Sequence, residues 1–264
     1  NTMNLFRTVA DTSFNQTNKM TNDGQNATYK AGLDYFINKK STMGFMVNGS
    51  AGGNNLSSVS NTPITYLPTD SVVKILTANN TNDMKRRNVS ANANYRYTDT
   101  TGRELSMDAD YAYYYNYSNQ VQPNIYYDET GINEISRIEY NMIAPTNINL
   151  YSFKTDYEQN FKKGKLGLGG KISFVNTDND FKRYNVVSNV KELDTLRSNK
   201  FFYKENINAL YVNYNRALKG FIVQAGLRAE YTNLNGTSTG QKLDNGLYAP
   251  YDSTFIRNYI DISY

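Results

Sequence analysis

The 264-residue chain contains no cysteine, no histidine and no tryptophan, and only 5 prolines. Without cysteine there is neither a disulfide nor a thiolate metal site, which fits a cell-envelope protein. Without histidine there is no Ser-His nucleophile, no His-based zinc site and no proton switch near neutral pH. Long hydrophobic runs are also missing. No segment approaches the ~18 apolar residues of a membrane helix, although a β-barrel needs none, its strands being only half apolar. Clustered basic residues are missing too: 28 Lys and Arg against 24 Asp and Glu are scattered along the chain, so a nucleic-acid partner is not expected. The chain opens on Asn1 without a charged-then-apolar leader, as expected of a processed or partial chain.

What the chain does have is tyrosine, 24 of them beside 12 phenylalanines, set in alternating segments. In GFIVQAGLRAEYTNLNG, residues 220–236, Phe221, Val223, Ala225, Leu227, Ala229 and Tyr231 alternate with Gln224, Gly226, Arg228, Glu230 and Thr232. That is a β-strand with one apolar and one polar face. NATYKAGLDYFI places Tyr29, Ala31, Leu33 and Tyr35 opposite Lys30 and Asp34. VSANANYRY and ELSMDADYAYYYNY repeat the pattern, the second with Asp108 and Asp110 on the polar side. LYSFKTDYEQNF sets Lys154, Asp156 and Glu158 against Tyr151, Phe153 and Tyr157, and KLGLGGKISF sets Lys171 against Leu168 and Ile172. About ten such strands are expected.

Connections come in two sizes. Short turns are expected near 38–41, 99–102, 162–164 and 219–220, and long, Asn/Ser/Thr-rich external loops near 52–88, 118–146, 175–200 and 233–254. Successive antiparallel turns lie at opposite ends of a sheet, so short and long connections segregate to opposite ends, as in outer-membrane barrels. The apolar faces hold Ala, Gly and Tyr rather than the close-packed Val, Leu and Ile of a sandwich core. Tyr95, Tyr97, Tyr35 and Phe161 end apolar faces near tight turns, and Tyr113, Tyr115 and Tyr117 end one near a long loop. Two aromatic girdles flanking an apolar band require this arrangement. The expected fold is therefore all-β: an antiparallel up-and-down transmembrane β-barrel segment spanning residues 1–264, its apolar face to lipid, in the outer membrane of a Gram-negative bacterium.

YKENINALYVNYNRALKGFIVQAGLRAEYTNLNG, residues 203–236, resembles a hairpin of large TonB-dependent outer-membrane receptors and of the outer-membrane β-barrel family related to them. GLDYFINKKSTMGFMVNG, residues 32–49, resembles an earlier hairpin of the same family. The resemblance implies a barrel of about twenty-two strands around a plug domain, of which this chain would be a part. It also implies a periplasmic energy-coupling protein as partner and, in some cases, a surface lipoprotein over the outer loops. No catalytic residue is carried across, and no cofactor or metal is expected.

The function expected is import of a metal chelate, glycan or peptide, not enzymatic catalysis. Candidate ligand contacts are the polar-face residues Lys30, Asp34, Asp108, Asp110, Lys154, Asp156, Glu158, Lys171, Arg228 and Glu230, joined by the loop aromatics Tyr126, Tyr127, Tyr248 and Tyr251. Tyrosine suits such a role because it presents an apolar face and a polar tip. The competing readings are a self-contained small barrel acting as a pore or envelope anchor, a histidine-free enzyme using paired carboxylates such as Asp108/Asp110, and a soluble β-sandwich adhesin. NTDND, residues 176–180, offers oxygen ligands for calcium but lacks the spacing of a known calcium loop.

Overall fold

A computed structural model describes residues 2–264. Twelve strands form one antiparallel sheet: β1 Thr2–Val9, β2 Thr12–Asn38, β3 Ser41–Tyr66, β4 Ser71–Thr98, β5 Glu104–Tyr127, β6 Glu134–Ile143, β7 Thr146–Phe161, β8 Gly164–Val187, β9 Val190–Leu193, β10 Asn199–Leu218, β11 Phe221–Asp244 and β12 Leu247–Ser263. The order across the sheet is β1-β2-β3-β4-β5-β6-β8-β10-β11-β12; β7 joins β5 to β8, and β9 pairs with β8. β6 and β7 are two parts of one crossing, interrupted at Ala144–Pro145, where proline has no N–H to give to a ladder. β9 and β10 are likewise separated by a turn in which Arg197 N donates to Asp194 O at 3.2 Å. Ten positions therefore lie across the sheet.

Neither face of this sheet is covered by a second layer. Among the described residues the only buried apolar side chains are Ala78, Ala112 and Ala209, while Leu33 is 61% and Ile260 76% exposed. A water-soluble sandwich would bury those faces against each other. The adhesin reading is thereby excluded.

The ladder registers join the exposed residues into rows. One row runs Leu33, Phe45, Ala93, Ala109, Phe153, Ile172, Asn208, Tyr231 and Ile260 across nine strands. The next residue along each strand gives the opposite face: Asp34, Gly44, Asn94, Asp108, Lys154, Lys171, Ala209, Glu230 and Asp261. Apolar and charged belts lie back to back because side chains alternate with period 2.

The apolar belt slants through the ladder. Tyr97, the last apolar residue of β4, lies level with Leu227 of β11 through Leu105, Tyr157, Leu168 and Val212. On β11 the alternation continues below that level to Phe221, 227 − 221 = 6 residues further. Six residues is about 20 Å along a strand, and the five strand steps from β4 to β11 span about 24 Å. The belt thus runs at about 40° to the rows, the strand tilt of a membrane barrel. In the frame of the bilayer it is the strands that tilt and the apolar band that lies flat.

The segments expected as long external loops are strand for most of their length. The β3–β4 ladder continues to Tyr66↔Ser71, β5 to Tyr127, β8 to Val187 and the β11–β12 ladder to Asp244↔Leu247. Polar side chains tie these extensions together: Asn54 Nδ2 donates to Asn22 Oδ1 at 2.9 Å, Ser58 Oγ to Asn18 Oδ1 at 2.8 Å and Ser118 Oγ to Asn82 Oδ1 at 2.8 Å. A hairpin projecting beyond the lipid needs no apolar face, so its composition reads as loop. The turns that remain are tight. Asn245 and Gly246 have φ of 49° and 81°, and Ser188 and Asn189 50° and 64°, the left-handed pairs that two-residue hairpins use.

Two Asp-x-Thr-Gly segments make the same carboxylate-centred turn. In the 99–102 turn, Asp99 Oδ1 accepts from Thr101 Oγ1 at 2.6 Å, Thr101 N at 2.9 Å and Arg103 N at 3.1 Å. In the outer β5–β6 hairpin, Asp128 Oδ1 accepts from Thr130 Oγ1 at 2.6 Å and Oδ2 from Asn133 Nδ2 at 2.6 Å. The Thr101 and Thr130 hydroxyls are the largest cause holding each carboxyl at about 2, below the usual aspartate range.

Candidate functional site

The belt of charges on the face opposite the apolar band is densest on β7, β8, β10 and β11. Lys154 Nζ pairs with Asp156 Oδ2 at 2.7 Å along β7. Two strands away, Tyr211 of β10 lies level with Asp156 through Gly169 of β8, and its hydroxyl donates to Asp156 Oδ1. The ring crosses the face of Gly169, where any side chain would collide with it. Glycine here is a groove that admits the tyrosine. Arg228 of β11 stands over the same ring, 5.5 Å from its centre, and closes the chain with an ion pair to Glu230 at 2.6 Å. One connected polar network, Lys154–Asp156–Tyr211–Arg228–Glu230, therefore crosses four strands.

A second network lies on β4, β5 and β7. Asp110 Oδ1 accepts from Asn92 Nδ2 at 2.7 Å and Oδ2 from Ser152 Oγ at 3.4 Å, and Asn94 Nδ2 donates to Asn92 Oδ1 at 2.9 Å. Nearer the tight turns, Glu158 pairs with Lys165 at 3.7 Å and Arg96 with Glu104 at 2.7 Å. Among the described residues Lys30, Asp34, Asp108 and Lys171 make no ion pair within 4 Å, although all lie on this same face. Fixed charges of both signs, half open to water, can hold a polar ligand or a second protein surface.

The ten polar-face candidates all sit on this one face, in adjacent rows. Tyr211 was absent from the sequence reading. The segment FFYKENINALYVNYN carries aromatic rings on both faces, which hides its alternation. The four loop tyrosines are corrected in two respects. Tyr126 and Tyr127 belong to β5, paired with Leu76 and Ile75, and Tyr248 and Tyr251 belong to β12, paired with Leu243 and Gly240. β5 and β12 are five strand steps apart, so the two pairs do not form one site. Residues 176–180 lie within β8. Their side chains alternate between faces there, and Asp180 pairs with Lys182 at 3.0 Å, so the segment's oxygens do not converge on a calcium ion.

The model of the outer membrane protein beta-barrel family matches residues 96–263, more than half of the chain. This chain belongs to that family. It is a protein of the outer membrane of a Gram-negative bacterium, which agrees with the exposed apolar belt and its tilt. No curated protein matches the chain. Among solved structures, the outer membrane protease OmpT from Escherichia coli is similar at 12% identity and a TM-score of 0.30, over 94% of this chain and 93% of that one. Likeness at that level carries no argument about chemistry. For a member of this family, the charged belt faces the barrel interior and the apolar belt faces lipid.

Proposed function

We propose that the chain forms part of the wall of a TonB-dependent receptor, a larger plugged barrel that imports a ligand such as a metal chelate, glycan or peptide. The observation that carries the reading is the pair of open sheet edges. Among the described residues β12 pairs with neither β1 nor β2, and β2 from Thr21 to Asn38 has β3 as its only ladder neighbour. Lipid does not tolerate unpaired backbone groups at membrane depth, so both edges call for further strands. The inner network of Lys154, Asp156, Tyr211, Arg228 and Glu230 supports the reading as well, being suited to contact a plug domain or a polar ligand. The reading involves no catalytic step. Its partners are outer-membrane lipid, the plug and remaining strands, a periplasmic energy-coupling protein and, over the outer hairpins, a surface lipoprotein.

The deciding experiment is the intact mass of the native protein extracted from its outer membrane with detergent. A mass about three times the 30.0 kDa of this chain, with the energy-coupling protein bound to the purified receptor, is the expected result. A native mass near 30.0 kDa would replace this reading by a self-contained barrel acting as a pore or envelope anchor. At membrane depth such a barrel would have to close β12 against β2 as a parallel pair, because β1 reaches only residues 12–19 of β2.

A further inference from the structure

At the tight-turn end the strands stop where the apolar belt stops. β7 ends at Phe161 and is followed at once by Lys162 and Lys163; β10 ends at Leu218, followed by Lys219, Gly220 and the first residue of β11, Phe221. Phe161 and Phe221 are both exposed on the lipid side. The turns therefore lie in the headgroup layer, with no hairpin extension to carry them clear of it. Short turns of such barrels face the periplasm, so this layer belongs to the phospholipid leaflet of the outer membrane.

The charge here is of one sign. Residues 159–177 and 206–229 contain seven Lys and Arg but no Asp or Glu. Three of the seven look into the lumen: Lys165, which pairs with Glu158 at 3.7 Å, Lys171 and Arg228. The other four are Lys162, Lys163 and Lys219 in the turns and Arg216 on the lipid face of β10, level with Val223. Among the described residues none of these four makes an ion pair, and the Arg216 side chain makes no hydrogen bond.

Backbone and aromatic contacts set these cations together. Lys162 and Lys163 occupy left-handed positions, φ 47° and 65°, which the outer hairpins fill with Ser188-Asn189 and Asn245-Gly246. Asn and Gly tolerate that conformation and lysine is strained by it, so the turn keeps its lysines for their charge. Tyr214 lies across Gly164, where a Cβ would stand 2.7 Å from its hydroxyl oxygen, and donates to Lys162 O at 3.1 Å. That pins the turn to β10, on which Arg216 is the next residue of the lipid face, about 7 Å nearer the turns. Lys219 follows about 10 Å beyond Arg216, and Lys162 Nζ rests 5.3 Å from the centre of the Phe161 ring.

We propose that this corner of β7, β8, β10 and β11 binds an anionic phospholipid of the periplasmic leaflet, one whose headgroup carries a phosphate and no amine. Arg216 and the turn lysines take the phosphate, and the acyl chains lie along the apolar face beside Leu218, Phe221 and Val223. The missing carboxylate selects this occupant. A headgroup ammonium would find no opposite charge in the corner and would be repelled by four cations, whereas a phosphate alone is neutralised by them. The site rests on how the barrel stands in the membrane and is independent of what it transports.

The test is native mass spectrometry of the full-length, detergent-extracted protein with phosphatidylglycerol, phosphatidylethanolamine or phosphatidylcholine of identical acyl chains. Each Lys or Arg beside an anionic headgroup changes binding roughly fivefold, so phosphatidylglycerol is expected to be retained about tenfold more than either competitor. Replacing the four cations together, Lys162→Gln, Lys163→Gln, Arg216→Gln and Lys219→Gln, should abolish that preference. Lys200→Gln with Lys204→Gln removes two cations from the outer end of the same face of β10 and should leave it unchanged. Heat-modifiable gel mobility verifies that each variant is folded. Equal retention of the three lipids by the unmodified protein, which requires no variant, would overturn the proposal. So would a preference that survives the fourfold replacement, or one lost equally in the Lys200/Lys204 variant, which would trace it to net charge alone.

Discussion

Replacing Gly169 by alanine tests the inner network at its narrowest point. A Cβ built there stands 2.6 Å from the Tyr211 hydroxyl oxygen and closer still to ring carbons. The strand backbone is held by ladders on both sides, so the ring is what moves. Swinging it away breaks the hydrogen bond to Asp156 and the contact with Arg228. A hydrogen bond to a charged group is worth about 1.5–3 kcal/mol, and a cation–π contact at a half-exposed site about 0.5–1 kcal/mol. Against this, alanine recovers roughly 0.5–1 kcal/mol of the backbone entropy that glycine loses in a strand. Water in the lumen weakens the polar terms, so the expected net loss is about 1–2 kcal/mol. The assay is urea unfolding in lipid vesicles, read by heat-modifiable mobility, for Gly169→Ala, Tyr211→Ala and the double variant. The double variant should be no less stable than Tyr211→Ala alone, because the obstructed ring is then gone. If Gly169→Ala matches the unmodified protein, or if its cost is the same with and without the Tyr211 ring, the glycine is not a seat for the tyrosine and the argument fails.

Other expectations address the membrane, the turns and pH. Since the chain has no tryptophan, Phe153→Trp and Lys154→Trp give single probes on opposite faces; brominated lipid should quench the first strongly and the second weakly, and equal quenching would refute the outward apolar face. Lys162 and Lys163 both sit at positive φ, 47° and 65°, so Lys162→Asn with Lys163→Gly should stabilise the hairpin by about 1 kcal/mol, visible as a higher urea midpoint. For Asp99, a folded pKa of about 2 lies below the unfolded value. Its contribution is therefore present above about pH 4 and fades as pH falls from 4 to 2. Thr101→Ala should raise the Asp99 titration midpoint measured by NMR, and an unchanged midpoint would dismiss the hydroxyl as its chief cause.

Much of the site was legible before the fold was known. Lys154, Asp156, Arg228 and Glu230 could be assigned to one face because their strands alternate cleanly. Tyr211 could not, since β10 carries Tyr203 and Tyr211 on one side and Phe202 and Tyr214 on the other, and an aromatic on each face erases the period. The outer hairpins were misread for a related reason. Residues 52–62 are Asn- and Ser-rich on both sides and residues 77–88 are rich in Asn and charge, and a strand that needs no apolar face carries no apolar alternation.

Side-chain alternation is a property of a single extended chain, so the sequence by itself determined that this protein is a two-faced sheet with one side for lipid. Register is a property of pairs of strands distant in sequence. Only the tertiary structure decided that Lys154 stands level with Lys171 and that Tyr211 reaches Asp156 across Gly169. The slant of the apolar belt by six residues over five strand steps has the same origin. Local chemistry chooses the face a residue looks from, and strand pairing chooses what it looks at.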